Sequence, residues 1–289
     1  MSNGTQTQIN FAGGEPFIND ILLGELCRYA SESLNMAVSI ISNASLIKPY
    51  WMKLYGQYVD VLGVSIDSFD DNVNAKIGRG SGAGISTSIS NGSGNDNGKN
   101  ASENASTVRT TVKNRHLERV LKVREMCEEQ NIIFKMNTVV CSLNWEEDMS
   151  DYVQKLKPKR WKCFQVLILE DENAGGEKEL RDARELVVNR EQFDAFVQRH
   201  EHFDALIPEP NDVMQNSYLL LDENLCFLDC SEGGKVPSES ILDVGVEVAL
   251  GQAGFDHDMF KDRGGIYEWN REKGEVQKSP SPPKPNSLP

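Results

Sequence analysis

Positive charge is scarce in this chain. Its 289 residues carry 30 lysines and arginines against 44 aspartates and glutamates, a formal net charge of −14, so the molecule repels polyanions and sequence-independent binding to a DNA or RNA polymer is disfavoured. Any phosphate site has to be a local basic pocket. Long apolar runs are missing as well. None approaches the roughly 20 residues that cross a bilayer, and the polar start MSNGTQTQ lacks the apolar core of a signal peptide. The expected location is therefore cytoplasmic, with no transmembrane segment. Closely spaced metal ligands are the third shortage. The six cysteines, Cys27, Cys127, Cys141, Cys163, Cys226 and Cys230, are scattered and read as reduced core residues. Cys226 and Cys230 lack the further Cys or His that a tetrahedral site needs, and His200-Glu201-His202 sits in a charged helical run that reads as a solvated face. No metal site is expected from these residues.

What is present is a core. A hydrophobic content of 39% and this length suit one large α/β domain or two small ones. The chain is organised around residues 8–17, QINFAGGEPF. Ile9 and Phe11 alternate with polar neighbours as in a strand, which stops at Gly13-Gly14-Glu15-Pro16. Two glycines let the backbone turn sharply beside a small molecule, Glu15 offers a carboxylate to an ammonium, and Pro16 ends the pairing. An ordinary Gly-Pro turn is the competing reading.

The rest of the chain alternates between the two periodicities. Helical spacing is expected over residues 21–34, with Asn19 or Asp20 as cap, and again from Pro49, over 108–130, 145–156 and 191–203. Strands are expected at 37–41, 59–67, 131–141 and 160–170, with further extended runs at 217–221 and 225–230. Repeated strand–helix units imply right-handed crossovers and a parallel sheet, so an open or closed α/β barrel is the expected fold. In such barrels the reactive groups gather at the carboxyl ends of the strands. Here these are Glu15, Ser42, Asn43, Ser65, Asp67, Arg79 and Asn137. Residues 1–7 are expected to be flexible. Residues 80–107, in which Gly, Ser, Asn and Thr replace almost every large apolar residue, form an expected disordered insertion, and the Pro-rich residues 270–289 an expected disordered tail.

Lys135 and Lys162 lie among large apolar residues on expected central strands, where a lysine needs an anionic partner. Either they pair with Glu15 or Asp67, or snorkel at the strand ends, or they join Arg79 and Lys235 in a phosphate pocket.

The segments NFAGGEP, SNAS, SIDSFD, IGRG, FKMN, RWKCFQ, NSYLLLDE, ILDVGVEVA and FDHDMFKDRGGIYEW, in that order, resemble the viperin family over residues 8–269. The resemblance implies a radical S-adenosylmethionine enzyme with a partial (β/α)6 barrel and a C-terminal extension. Such an enzyme is a lyase of antiviral defence that uses S-adenosylmethionine and a [4Fe-4S] cluster to convert a nucleoside triphosphate, CTP or UTP, to its 3′-deoxy-3′,4′-didehydro form. Carried over by matching motif, Gly13, Gly14 and Glu15 would hold the cofactor's amine, with Ser42, Asn43 and Ser65 near its carboxylate and ribose. Arg79, Lys135, Asn137, Lys162 and Lys235 would line the nucleotide pocket, Tyr218 would relay a hydrogen atom or proton, and Cys230 has a family counterpart.

Three features depart from the family pattern. No CxxxCxxC, the source of the three cluster thiolates, occurs in these residues, the insertion lies beside the pocket, and the tail replaces a terminal tryptophan. The barrel is accordingly expected to miss its first strand–helix unit, leaving the strand at residues 8–12 as an edge prone to self-association. The alternative function is a non-catalytic nucleotide or S-adenosylmethionine binder.

Overall fold

Six short strands alternate with helices, and each strand pairs with the one that precedes it in the chain. The computed structural model describes residues 8–79, 115–169, 173–176, 182–214, 217–231 and 235–262; the expected flexible segment 1–7, the insertion 80–107 and the tail 270–289 lie outside them. The order is β1 (Gln8–Phe11), α1 (Asp20–Glu32), β2 (Ala37–Ser42), α2 (Pro49–Tyr55), β3 (Val61–Ser65), α3 (Asp71–Ile77), α4 (Arg115–Glu129), β4 (Ile133–Val140), α5 (Ser150–Leu156), β5 (Arg160–Gln165), α6 (Arg190–His200) and β6 (Leu206–Glu209). After α7 (Asn211–Met214), a three-stranded antiparallel sheet follows, made of β7 (Leu220–Leu221), β8 (Cys226–Asp229) and β9 (Val236–Ser240), with α8 (Ile241–Val244), α9 (Val246–Gly251) and α10 (His257–Asp262).

The large sheet has the spatial order β1-β2-β3-β4-β5-β6, all parallel. A doubly wound sheet would reverse direction at a switch point; this one never does. The sheet is not closed, and β1 and β6 are its two edges. The α/β partial barrel expected from the sequence is therefore the observed architecture.

One face of this sheet packs against the helices. Val38, Ile40, Leu62, Val64, Phe134, Met136, Trp161 and Cys163 form a single buried cluster with Leu23, Cys27 and Ala30 of α1, Trp51 and Met52 of α2, Val120 and Val123 of α4, and Phe193 and Phe196 of α6. Local chemistry fixes the helix starts. Asn19 caps α1 by accepting from Leu22 N–H, Asp70 caps α3, and Asn189 with Gln192 forms a reciprocal capping box on α6.

Three of the places where the structure differs from the sequence reading have a plain local cause. The expected helix over residues 145–156 begins only at Ser150, because Asn144 draws the preceding chain into turns: its side chain accepts from Cys141 N–H and donates to the carbonyls of Asp67 and Val139. The strand β6 was not anticipated. It is four residues long and contains Pro208, a residue that sheets accept at edges, and β6 is an edge.

The third difference is His200, which does not lie on a solvated face. It is 0% exposed, because Phe193, Phe196 and His200 recur at the spacing that faces the sheet. Its Nε2 accepts from Met149 N–H at 2.9 Å and its Nδ1 lies 2.8 Å from the Phe196 carbonyl, which requires the neutral ring with hydrogen on Nδ1. Burial holds its pKa below the usual imidazole value, against the opposing pull of the Phe196 carbonyl and Asp148. The folded pKa is depressed, so this contribution to stability is present above the unfolded value and fades as pH falls through it. His200→Gln is expected to destabilise the fold by about 1–3 kcal/mol at pH near 7.5, and the deficit against the parent protein should shrink at pH near 5.5. Thermal melts at the two pH values check this; a deficit independent of pH would contradict it.

Candidate functional site

The loops that follow β1 and β2 are tied together by one carboxylate. Gly13 and Gly14 have φ of 93° and 52°, and a Cβ built at either would meet nothing within 4 Å. Glycine is needed there for the backbone conformation, and the space beyond is open. Next in the chain, Glu15 accepts from Ser42 Oγ at 2.7 Å, Asn43 N–H at 2.8 Å and Phe17 N–H at 3.2 Å. Ser42 Oγ accepts from Ala44 N–H, and Asn43 Oδ1 from Ser45 N–H. Thus Gly13, Gly14, Glu15, Ser42 and Asn43 are brought into one assembly, with the Glu15 carboxylate serving first as the strap between the two loops.

The sheet face opposite the helices carries the polar residues. Because strand neighbours in register share a face, Gly63, Lys135 and Arg160 form one row, and Ser65, Asn137 and Lys162 form the next, nearer the carboxyl ends. Gly63 makes room in its row: a Cβ there would lie 2.5 Å from Ile41 Cδ1 and 3.7 Å from Lys135 Cδ. Lys135 and Lys162 are 9% and 4% exposed. Asn137 has a buried Oδ1 with no hydrogen-bond partner among the described residues, an unusual state for a buried amide unless something else occupies the site.

The carboxylate partners are not those the sequence suggested. Lys162 forms an ion pair with Glu209 at the end of β6, and its Nζ donates to Tyr218 Oη at 3.1 Å. The Tyr218 hydroxyl donates to the other Glu209 oxygen at 2.5 Å. Asp67 pairs with Arg79 instead of a lysine, and its second oxygen accepts from Val139 N–H at 2.9 Å, so the cation is pinned to the ends of β3 and β4. Beside this pair opens a cavity of about 750 Å³ lined by Asp67, Arg79, Val139, Leu143, Ala183 and Leu186 among others. Lys235 is exposed and lies just before β9, outside the six-stranded sheet. Glu209 is the residue that sequence reasoning missed. The signal was available, since Glu209-Pro210 repeats the Glu15-Pro16 dipeptide at a strand end.

The cysteines do not fit the cluster that the family resemblance implies. Cys27, Cys127, Cys141 and Cys163 are buried, and burial pushes the Cys27 and Cys127 thiols up to about 12 and raises the Cys163 thiol well above its usual value. Cluster ligation needs converging thiolates. Among the described residues no group of three or more His, Cys, Asp or Glu side chains is placed to hold a metal ion. The glycine-lined opening at residues 13–14, by contrast, fits the backbone approach of a small amino-acid-bearing ligand.

No family model matches the chain. Individual proteins do. A protein of Oncorhynchus mykiss named S-adenosylmethionine-dependent nucleotide dehydratase RSAD2 is 42% identical over 267 residues, covering 91% of this chain and 68% of that protein. The Danio rerio protein of the same name is 43% identical, over 91% of this chain and 66% of its own length. An S-adenosylmethionine-dependent nucleotide dehydratase of Flammeovirga pacifica is 30% identical, over 91% and 78%. The chain thus spans about two thirds of the length of the fish relatives. Among solved structures, native anSMEcpe with bound AdoMet superposes with a TM-score of 0.51 at 12% identity, over 90% of this chain and 69% of that one, a likeness of fold. Identity of 42% across nine tenths of the residues, with the partial barrel and the ordered strand-end motifs, places the chain in the viperin family of S-adenosylmethionine-dependent nucleotide dehydratases.

Proposed function

We propose that this chain binds S-adenosylmethionine at the GGEP and SNAS loops and a nucleoside triphosphate, CTP or UTP, over the polar face of its sheet, as the substrate-holding part of a nucleotide dehydratase. The observation that carries this reading is the row of Ser65, Asn137 and Lys162, with Lys135 one row below and Arg79 pinned at the rim, in a chain whose net charge is −14. Glu209 balances Lys162 within the protein; what marks the face for an anionic ligand is the gathering of Lys135, Lys162 and Arg79 at one end of the sheet in so acidic a chain.

In this reading Gly13 and Gly14 let the backbone approach the cofactor's amino-acid end, and Glu15, held by Ser42 and Asn43, presents its remaining lone pairs to the ammonium. Lys135, Lys162 and Arg79 take the phosphates, and Asn137 gives its buried amide a partner on the ligand. Tyr218 stands beside Lys162 as the group that hands a hydrogen atom or proton to the bound nucleotide. S-adenosylmethionine supplies the group that attacks the substrate in the family; these residues do not fit the cluster that the reaction also needs, and their contribution is binding and orientation. The lack of a thiolate set among the described residues favours a second reading, in which the chain binds cofactor and nucleotide without turnover.

Calorimetric titration tests the first part. Saturable binding of CTP or UTP is expected, and no heat with either nucleotide would overturn the proposal. Assay for release of 5′-deoxyadenosine from S-adenosylmethionine separates the two readings.

A further inference from the structure

The buried carboxylate of Glu209 has no role in the scheme above, yet it holds two side chains of the polar face at once. It is 1% exposed. One strand over from Lys162 and one row nearer the carboxyl ends, it stands in register with Phe164. Each of its oxygens has a different partner: Oε1 takes the Lys162 ammonium, and Oε2 takes the Tyr218 hydroxyl at 2.5 Å. The ammonium in turn donates to the phenol oxygen at 3.1 Å and sits 5.5 Å from the centre of the Tyr218 ring. The three groups form a closed triangle, in which the phenol's own hydrogen is aimed at Glu209.

We propose that Glu209 is a positioning residue that holds Lys162 and Tyr218 in place and competes with a phosphate-bearing ligand for the Lys162 ammonium. This rests on the reading of the polar face as a triphosphate site. An ammonium fully neutralised by a buried carboxylate offers an incoming phosphate less attraction, and the carboxylate repels the phosphate directly in a site of low dielectric. Asp67 stands in the same relation to Arg79. Both cations are therefore kept fixed and hydrogen-bonded without ligand, at the expense of affinity.

Glu209→Gln keeps the shape, removes the charge and turns one acceptor into an amide donor, which the Tyr218 hydroxyl oxygen can accept once its own hydrogen rotates away. A residue that merely stabilised the pocket would weaken binding when altered; a competing anion would do the opposite. The expected result is that CTP binds Glu209→Gln about tenfold more tightly than the parent chain, the effect of removing one nearby like charge, by calorimetry on the full 289-residue protein. Glu209→Asp, which keeps the charge, should show no gain. If Glu209→Gln fails to fold, the carboxylate's direct repulsion of phosphate is read from the double variant Lys162→Gln/Glu209→Gln, which loses both buried charges together and should bind CTP at least about tenfold more tightly than Lys162→Gln alone. Equal or weaker binding by folded Glu209→Gln, or no recovery in the double variant, would overturn the proposal while leaving the triphosphate site standing. No binding of CTP, UTP or inorganic tripolyphosphate by the parent chain would remove both.

Discussion

Anaerobic reconstitution of residues 1–289 with iron and sulfide is expected to leave the protein colourless, without a redox-active [4Fe-4S] cluster. Three thiolates must converge on one cube, with the fourth iron left for the cofactor. Four of the six cysteines are buried in the core. Burial pushes the Cys27 and Cys127 thiols up to about 12, so ionising either would carry a charge into apolar surroundings. Cys226 and Cys230 are the two that reach solvent in part, and two thiolates close no cluster. Supplying a segment with CxxxCxxC beside β1 should restore both iron binding and S-adenosylmethionine cleavage, an all-or-none change. A brown, paramagnetic protein that releases 5′-deoxyadenosine from residues 1–289 alone would contradict the expectation and direct attention to Cys226 and Cys230.

Removing the buried lysines should have the next largest effects, and unequal ones. A charge-assisted contact to phosphate contributes on the order of 1.5–3 kcal/mol, so Lys135→Ala and Lys162→Ala should each weaken CTP binding more than about tenfold. Their effects on stability should differ. The Lys162 and Glu209 side chains are 5% and 2% exposed, and truncating the lysine strands a carboxylate in the interior, a loss of about 3–5 kcal/mol. Adding Glu209→Gln should return part of that stability. Denaturant melts and calorimetry on the single and double variants measure both quantities. Unchanged nucleotide affinity in both single variants would remove the lysines from the site and leave Lys162 as half of a structural ion pair.

Much of this arrangement was legible in the sequence because local pattern and tertiary demand agree. Strands β1 to β5 are apolar runs separated by helical periodicity, and their polar ends, GGEP, SNAS and SIDSFD, fall where a parallel sheet collects them. The rows themselves were not legible. That Ser65, Asn137 and Lys162 lie side by side follows from register, which only strand pairing reveals. The missed features share a cause, in that long-range partners overrode local signals. β6 is short and carries Pro208, so it reads as a loop until β5 pairs with it. His200 sits in a run of charge, yet the apolar stripe of α6 turns it inward. Asp67 was a reasonable partner for a buried lysine, but Arg79, just past the end of α3, pairs with it. Glu209 then meets Lys162 from 47 residues away in sequence, beyond any spacing rule.

The central claim is that the polar face of the six-stranded sheet receives the triphosphate of a nucleotide. A crystal structure of the chain grown with CTP tests it most directly. The account predicts phosphate oxygens within hydrogen-bonding distance of Lys135 and Lys162, the Asn137 amide engaged by the ligand, and Glu209 shifted from the Lys162 ammonium. Triphosphate bound elsewhere on the molecule, with the Lys162–Glu209–Tyr218 triangle unchanged and the polar face holding only water, would contradict it.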